Sequence, residues 1–443
     1  VGTKVIEPRV LKGFQDTLPA VGLRRMEMLR ILQDVFVSFG FAPIDTPALE
    51  YAEILLGKGS DETDRQLFRF KDNGGRDVAM RFDLTVPLAR FVAEHCNDLT
   101  FPFKRFHIAP VWRAEKPQRG RFREFIQCDF DTIGTDSPIA DSEILSIVST
   151  ALSALGVSHQ LRVNNRKILN GLLESLDAKE SSVSVLRAID KLEKLGEEVV
   201  RKELATQLSD SQIEKVFTYV SISKNSSLSR EKLFSELSNL IGGSELGARG
   251  IEELSTVLNS AELFGVKSEA LLIDLSIARG LDYYTGTVFE TRFTEVPTIG
   301  SICSGGRYDD LASLYINRRL PGVGGSIGLD RVIAGLEELG KIKAHSSPAL
   351  AYITILDKSA QTAAFELVTK IRSKGIPAEV ALETAQLGGQ LKYADRKGIK
   401  FAVILGEREV AQGTCSIKNL ETKTQVDGVK FDDVAKEILS AKI

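Results

Sequence analysis

Hydrophobic positions along the chain change their period several times, and each change marks a new element. Met26, Leu29, Leu32, Phe36 and Phe39 recur at three- and four-residue steps and Gly40 follows, which predicts an amphipathic helix closed by a glycine cap. Residues 78 to 86, 104 to 113 and 121 to 133 then alternate or run apolar as strands do, with Pro117 and Gly120 punctuating the stretch between the last two. Those two are expected to pair as a long antiparallel hairpin. From about residue 165 to 268 the composition shifts to Leu, Glu, Lys, Ser and Ala at helical spacing, as in Leu186, Ile189, Leu192 and Leu195, so a helical insertion is expected there. Strand signals return at 270 to 278 and 287 to 293, and Val323 to Leu339 joins glycines to a helix-period tail, Leu329, Val332, Ile333 and Leu336. A polar stretch, Lys341 to Pro348, precedes a last segment where strands at Ala351 to Leu356 and Phe401 to Leu405 alternate with helical patterns, as in a small α/β unit. The boundaries read 1–345 for the first domain, interrupted by 165–268, and 346–443 for the second.

Composition narrows the class. A chain of 443 residues, 43% hydrophobic and 26% charged, is expected to fold as several globular domains, and its apolar runs fall far short of the roughly 20 residues that span a bilayer. No basic stretch followed by an apolar run opens the chain, so a cytoplasmic location is expected. Cys96, Cys128, Cys303 and Cys415 form no C-x-x-C pair, and His95, His107, His159 and His345 have no metal-ligand spacing. Neither a disulfide framework nor a protein-held metal is expected. With a net charge of -3 any polyanion site must be local. The glycines of 322 to 328 match neither dinucleotide nor P-loop spacing and are expected to serve close packing.

The segment 121 to 131 carries the chemistry. Period-two geometry puts Arg121, Arg123, Phe125, Gln127, Asp129 and Asp131 on one face, and the facing strand brings Arg113 near it. A half-buried strand with a solvated outer face is the bland alternative, against which Phe125 in the middle of the row counts. Arginine binds phosphate bidentately and a phenyl ring stacks on a purine, so this mixture suits a nucleotide whose phosphates react.

At these residues a family resemblance enters. Phe103 to Gly134, FKRFHIAPVWRAEKPQRGRFREFIQCDFDTIG, resembles motif 2 of the class II aminoacyl-tRNA synthetases in its histidyl version. GFAPIDTPALE, Gly40 to Glu50, is similar to motif 1, with Pro47 at the position associated with a dimer interface. ARGLDYYTGTVFE, Ala278 to Glu290, resembles the histidyl signature; GGRYDDL and GVGGSIGLDRV resemble the approach to motif 3 and motif 3 itself, and GFQD and ILGEREV extend the likeness toward both ends.

The resemblance implies an α+β catalytic domain on an antiparallel sheet, a helical insertion and a C-terminal α/β anticodon-binding domain. It implies an enzyme that activates L-histidine with ATP, with Mg2+ accompanying the nucleotide, charges tRNA(His), and pairs as a homodimer through motif 1. By motif position, Arg113 and Arg279 hold the α-phosphate, Arg331 faces Phe125 across the adenine, and Glu115 and Arg121 reach ATP through its metal and phosphates. Asp83, Thr85 and Gln127 receive the amino group of histidine, and Asp131 and Tyr284 its imidazole, with Tyr308 nearby. Gln118 is the candidate for the acceptor end of the tRNA; Gln390, Lys392 and Tyr393, in a stretch with a basic cluster that includes Arg396, Lys397 and Lys400, are candidates for other RNA contacts. Two features depart from a single branch: Asp83 and Asp131 follow the shorter-acid eukaryotic cytosolic pattern, whereas the loop KPQRG is of the compact bacterial kind. The rival class is a noncatalytic paralogue that binds histidine or RNA and regulates; the presence of Arg113, Arg279, Arg331 and the last domain weighs for catalysis.

Overall fold

In the computed structural model, described over residues 6–57, 66–118, 120–224, 228–277, 283–310, 312–342 and 347–440, the chain divides into two compact units. One comprises Val1–Gln15 and Met28–Lys341, the other Asp16–Glu27 and Ile342–Ile443.

Eleven strands of the described residues lie in the first unit: β1 (Ala42–Pro43), β2 (Leu49–Tyr51), β3 (Arg69–Lys71), β4 (Asp77–Met80), β5 (Phe103–Trp112), β6 (Glu124–Ile133), β7 (His159–Asn165), β8 (Leu271–Ile273), β9 (Thr287–Phe293), β10 (Ser301–Tyr308) and β11 (Gly322–Gly328). Eight form one sheet in the order β1-β5-β6-β11-β10-β9-β7-β8, and β2-β4-β3 form a second. The six central strands of the large sheet are antiparallel; only the edge pairs β1–β5 and β7–β8 are parallel. The expected hairpin is β5–β6, with Arg105 opposite Asp131, Ala109 opposite Gln127 and Val111 opposite Phe125. On the even face of β6, Cys128 and Phe130 are buried, and the Phe36 ring stands 5.1 Å from Phe130 and 5.5 Å from Phe106.

Several sequence readings change. The run 78 to 86 is strand only to Met80: Arg81 turns inward to give its guanidinium to Pro110 O (3.0 Å) and Thr46 O (2.5 Å), and the helix Thr85–Glu94 begins. The strand read from 270 to 278 covers only Leu271–Ile273, residues from 278 to 282 being outside those described, and β6 starts at Glu124 instead of 121. In the helix Pro19–Ser38 the buried positions are Met28, Leu32, Val35 and Phe36, whereas Met26 is 43% exposed. Apolar residues occur on more than one side of that helix, so two stripes fit the same period.

Between β7 and β8 the described residues from Arg166 to Leu263 form seven α-helices and one 3-10 turn, so this stretch is the crossover of a parallel strand pair. Local chemistry starts these helices: the side chains of Asn165, Ser209, Ser229 and Ser244 each accept a backbone N–H of the first turn. Helices Arg166–Ser175 and Glu245–Leu263 touch at Gly171 and Gly247, where a Cβ on Gly171 would stand 2.4 Å from the Gly247 backbone. Only glycine permits that approach.

The second unit carries β12 (Ala351–Ile353), β13 (Ala378–Val380), β14 (Phe401–Ile404), β15 (Thr414–Asn419) and β16 (Gln425–Lys430) in the order β13-β12-β14-β15-β16. β12 is parallel to β13 and β14, β15 and β16 run antiparallel, and Ile353, Val368, Ile371, Phe401, Val403 and Ile438 fill its core. Among the described residues no helix is long and apolar enough to cross a membrane.

Candidate functional site

A cavity of about 300 Å³ opens over the odd face of β6 and the glycine-rich face of β10 and β11. From Phe125 to Asp131 it follows extended chain over six residue-to-residue steps, a run of about 20 Å. Its two ends differ in chemistry.

At the Phe125 end lie Arg113, Glu115, Arg121 and Arg331. The Arg113 guanidinium rests 5.2 Å from the Phe125 ring centroid and donates through Nε to Phe82 O at 2.9 Å, which fixes the arginine against the ring. Arg121 Nε pairs with Glu115 Oε2 at 2.6 Å. Arg331 enters from the helix Leu329–Glu338 and donates to Ser301 O at 2.5 Å; burial, with Arg121 and Arg113 nearby, pulls its pKa below the usual value. These cations repel one another in the empty site, and an anion brought among them relieves that repulsion. Asp330 Oδ2 accepts the Ile126 N–H at 3.0 Å and ties the helix start to β6.

At the Asp131 end, Asp83, Thr85, Gln127, Asp129, Tyr284 and Tyr308 line the wall. Asp131 is 2% exposed; it accepts the Tyr308 hydroxyl and pairs with Arg105 Nη2 at 2.7 Å. Burial raises its carboxyl, opposed first by Arg105. Asp83 Oδ1 accepts the Val86 N–H at 3.1 Å in the first turn of the helix Thr85–Glu94, and burial pushes the carboxyl up to about 6. Gln127 Nε2 donates to Ser326 Oγ at 2.9 Å. Burial also raises the Tyr284 and Tyr308 phenols, so both are neutral donors. The cleft is shaped by missing side chains: a Cβ on Gly324 would fall 2.0 Å from Asp131 Oδ1, and one on Gly305 would fall 2.1 Å from Gly324 O. The glycines singled out in 322 to 328 therefore make room within the sheet itself.

Every nucleotide and histidine candidate named from the sequence lines this cavity except Arg279, which lies outside the described residues. Arg123, placed on the same face by alternation, points elsewhere: its side chain donates to Glu115 O (3.1 Å) and Lys12 O (3.3 Å), and its N–H to Gly13 O (2.8 Å), fastening the N-terminal segment to the loop before β6. Gln118 is exposed in a turn closed with Arg121. Lys392 is exposed and Tyr393 44% exposed in the second unit. Gln390 must be withdrawn as an RNA contact: it is 4% exposed, its amide donates to Ile355 O (2.8 Å) and Ala385 O (2.7 Å), and its Oε1 accepts from Ile355 N (3.0 Å).

Sequence reasoning passed over two buried members of the site. Arg105 is fully buried, and its place opposite Asp131 in the hairpin register was the available signal, since a charge inside an apolar strand needs a partner. Asp129 was on the odd row without a role; burial pushes its carboxyl up to about 7. His107, by contrast, is a buried histidine turned to Asp45, whose Oδ1 lies 2.9 Å from its Nε2, while its Nδ1 has no partner.

Comparison with known proteins bears on the whole chain. The family described as Histidyl-tRNA synthetase matches residues 13–332, and that described as Anticodon binding domain matches residues 350–441. A histidine–tRNA ligase of Rhodopirellula baltica is 50% identical over 426 residues, 96% of either chain, and one of Treponema denticola is 44% identical over 449 residues, 99% of either chain. The crystal structure of a histidyl-tRNA synthetase from Nostoc sp. PCC 7120 superposes with a TM-score of 0.89 at 34% identity, covering 99% of this chain and 100% of its own. Likeness of this extent, in sequence and in fold, makes the chain a member of the histidyl-tRNA synthetase family.

Proposed function

We propose that the cavity joins L-histidine to ATP, giving histidyl-adenylate and pyrophosphate, and that the chain then esterifies the histidyl group onto the 3′ end of tRNA(His). The observation that carries this reading is the polarity of one cavity, with arginines and an aromatic plate at the Phe125 end and buried carboxylates and phenols at the Asp131 end. A histidine carboxylate oxygen attacks the α-phosphorus of ATP, the bond to the β-phosphate breaks, and negative charge grows on the phosphoryl oxygens; positioned guanidinium groups stabilise that charge. Arg113 takes this role together with Arg279, while Arg331 and Phe125 hold the adenine between a cation and a ring. Arg121 and Glu115 act on the phosphates and on an accompanying Mg2+, which the triphosphate oxygens would hold in large part. Among the described residues no group of three acids, histidines or cysteines stands ready to hold a metal ion.

Asp83, Thr85 and Gln127 receive the amino group of histidine, and Asp131, Tyr284 and Tyr308 address the imidazole. Gln118 reaches toward the acceptor end of the tRNA, and Lys392 and Tyr393 toward other RNA bases. The protein works in the cytoplasm as a homodimer. Leu49, Tyr51 and Phe70, each about half exposed around β4, supply an apolar face for that pairing, and sedimentation tests it. Histidine-dependent exchange of labelled pyrophosphate into ATP, run across all twenty amino acids, tests the activity: exchange with histidine alone is expected, and none with any amino acid overturns the reading.

A further inference from the structure

Asp129 sits between Gln127 and Asp131 on the cavity face of β6, directly across from Ser326 of β11. It is 2% exposed, yet its Oδ1 has no hydrogen-bond partner. Two further acceptors open onto the same cavity in the same condition, Asp83 Oδ2 and Gln127 Oε1. Three buried acceptors without donors are a large cost unless something fills them.

The surrounding charges do not fill them. Arg105 Nη2 is committed to Asp131 and to Leu84 O while its Nε and Nη1 reach no acceptor, and Arg81 donates to Pro110 O and Thr46 O. His107, the register partner of Asp129 on β5, turns to Asp45, and Tyr284 and Cys303 are held neutral by burial. Asp83, Asp129 and Asp131 all lie in the field of Arg105, and Asp83 in that of Arg113 as well. Three acceptors thus stay open on this wall although the Arg105 guanidinium lies beside them, and a primary ammonium, with one charge and three donors, matches them.

Building on the histidine reading above, we propose that Asp129 is a substrate-recognition residue whose Oδ1 accepts an N–H from the α-ammonium of histidine, alongside Asp83 and Gln127. The ammonium is then held by two carboxylates. Burial lifts Asp129 to about 7 and Asp83 to about 6, so both carry protons over part of the range below neutrality when the site is empty. An arriving cation favours the ionised forms, so histidine binding expels a proton.

The test is calorimetric titration of the full-length protein with histidine at pH 6.5, in two buffers of different ionisation enthalpy. The same titration is repeated with 3-(imidazol-4-yl)propionate, which keeps the ring and carboxylate but lacks the ammonium. Both ligands carry an imidazole that titrates at about pH 6.5, so the ammonium site is read from the difference: wild-type protein should release more protons on binding histidine than on binding the propionate, each corrected for the protonation of its own free ring. Asp129→Asn should lose most of that excess and bind histidine roughly 10- to 100-fold more weakly, with the propionate little affected. Equal weakening of both ligands, an unchanged histidine Kd, or no excess proton release by wild-type protein overturns the proposal. Should Asp129→Asn fail to fold, Asp129→Ser is carried through the same two-ligand comparison, because Asp83 alone could release a proton in wild-type protein. Pyrophosphate exchange by the wild-type protein separates the two levels: exchange without excess proton release removes the role of Asp129 and leaves the activity standing, whereas absent exchange removes the activity itself.

Discussion

Gly324 and Asp131 face each other across β11 and β6 so closely that a methyl group on the glycine would sit 2.0 Å from the Asp131 Oδ1. The carboxylate cannot yield freely, because Tyr308 and Arg105 hold it on its other sides.

Gly324→Ala is therefore expected to displace Asp131 while leaving the Arg113–Phe125 end alone. Overpacking of this kind costs about 1–3 kcal/mol, which corresponds to a rise in the histidine KM of roughly 5- to 150-fold with the ATP KM nearly unchanged. Pyrophosphate exchange at varied histidine and at varied ATP separates the two constants; equal effects on both would contradict the assignment of the Asp131 end to the amino acid.

Arg105→Met should damage stability before it damages chemistry. Removing one partner of a buried ion pair leaves the other charge alone, typically at a cost of 3–5 kcal/mol. Chemical denaturation should register that loss, and addition of Asp131→Asn should recover part of it, since the second change removes the stranded charge. No recovery in the double variant would show the two residues to be energetically independent.

The pH dependence of stability has a definite sign. Asp83 and Asp129 are raised to about 6 and about 7, above the value near 3.9 expected for an unfolded aspartate. A carboxyl raised by folding contributes stability that is full below the unfolded pKa and is lost as pH rises through the folded one. The ligand-free protein should lose stability from this pair between about pH 4 and pH 7, and Asp129→Asn should flatten that fall. Melting temperatures of both proteins at pH 5.5 and pH 8 check it; parallel slopes would refute the assignment.

Arg123→Ala should raise the ATP KM several-fold, because the loop bearing Glu115 and Arg121 loses its tie to the segment around Gly13. Arg123→Lys should rescue little, since a single ammonium cannot donate in the planar fork that spans Glu115 O and Lys12 O. Limited proteolysis of the N-terminal segment gives an independent readout; an unaltered cleavage pattern and unaltered ATP KM would remove the positioning role.

Replacing Lys392 and Tyr393 together by alanine should weaken tRNA charging, roughly 10-fold in kcat/KM, while pyrophosphate exchange stays at the wild-type rate. Equal charging by both proteins would exclude this helix from the RNA contact.

The β5–β6 hairpin could be read from the chain because two strand-like runs flank a Pro–Gly-punctuated loop, whereas its register, Arg105 opposite Asp131, came only with the fold, since a slip of two residues keeps every side chain on its face. The stretch 78 to 86 misled because an apolar run does not show where a helix begins, and here the Asp83 carboxylate accepts the Val86 N–H in the first turn of one. Gln390 misled in a related way: a polar residue on a helix looks solvated until the neighbouring backbone groups that claim its amide are in place. Asp129 was visible on the correct face, but spacing gives direction and not depth, and its depth is what leaves an oxygen without a donor. The role of Gly171 needed its contact with Gly247, 76 positions away in sequence by their numbers.

The parallel pairing of β7 with β8 has an engineering consequence. With Leu161 beside Leu271, the chain leaves the sheet at Asn165 and returns one strand over, about 15 Å from its exit. The strands that carry Asp131 and Gly324 take their register from each other. The helical segment meets the sheet toward the β7–β8 edge, where Tyr219 binds Asn164 and Glu193 binds Arg292, so a graft of different length there would have to keep those two ties.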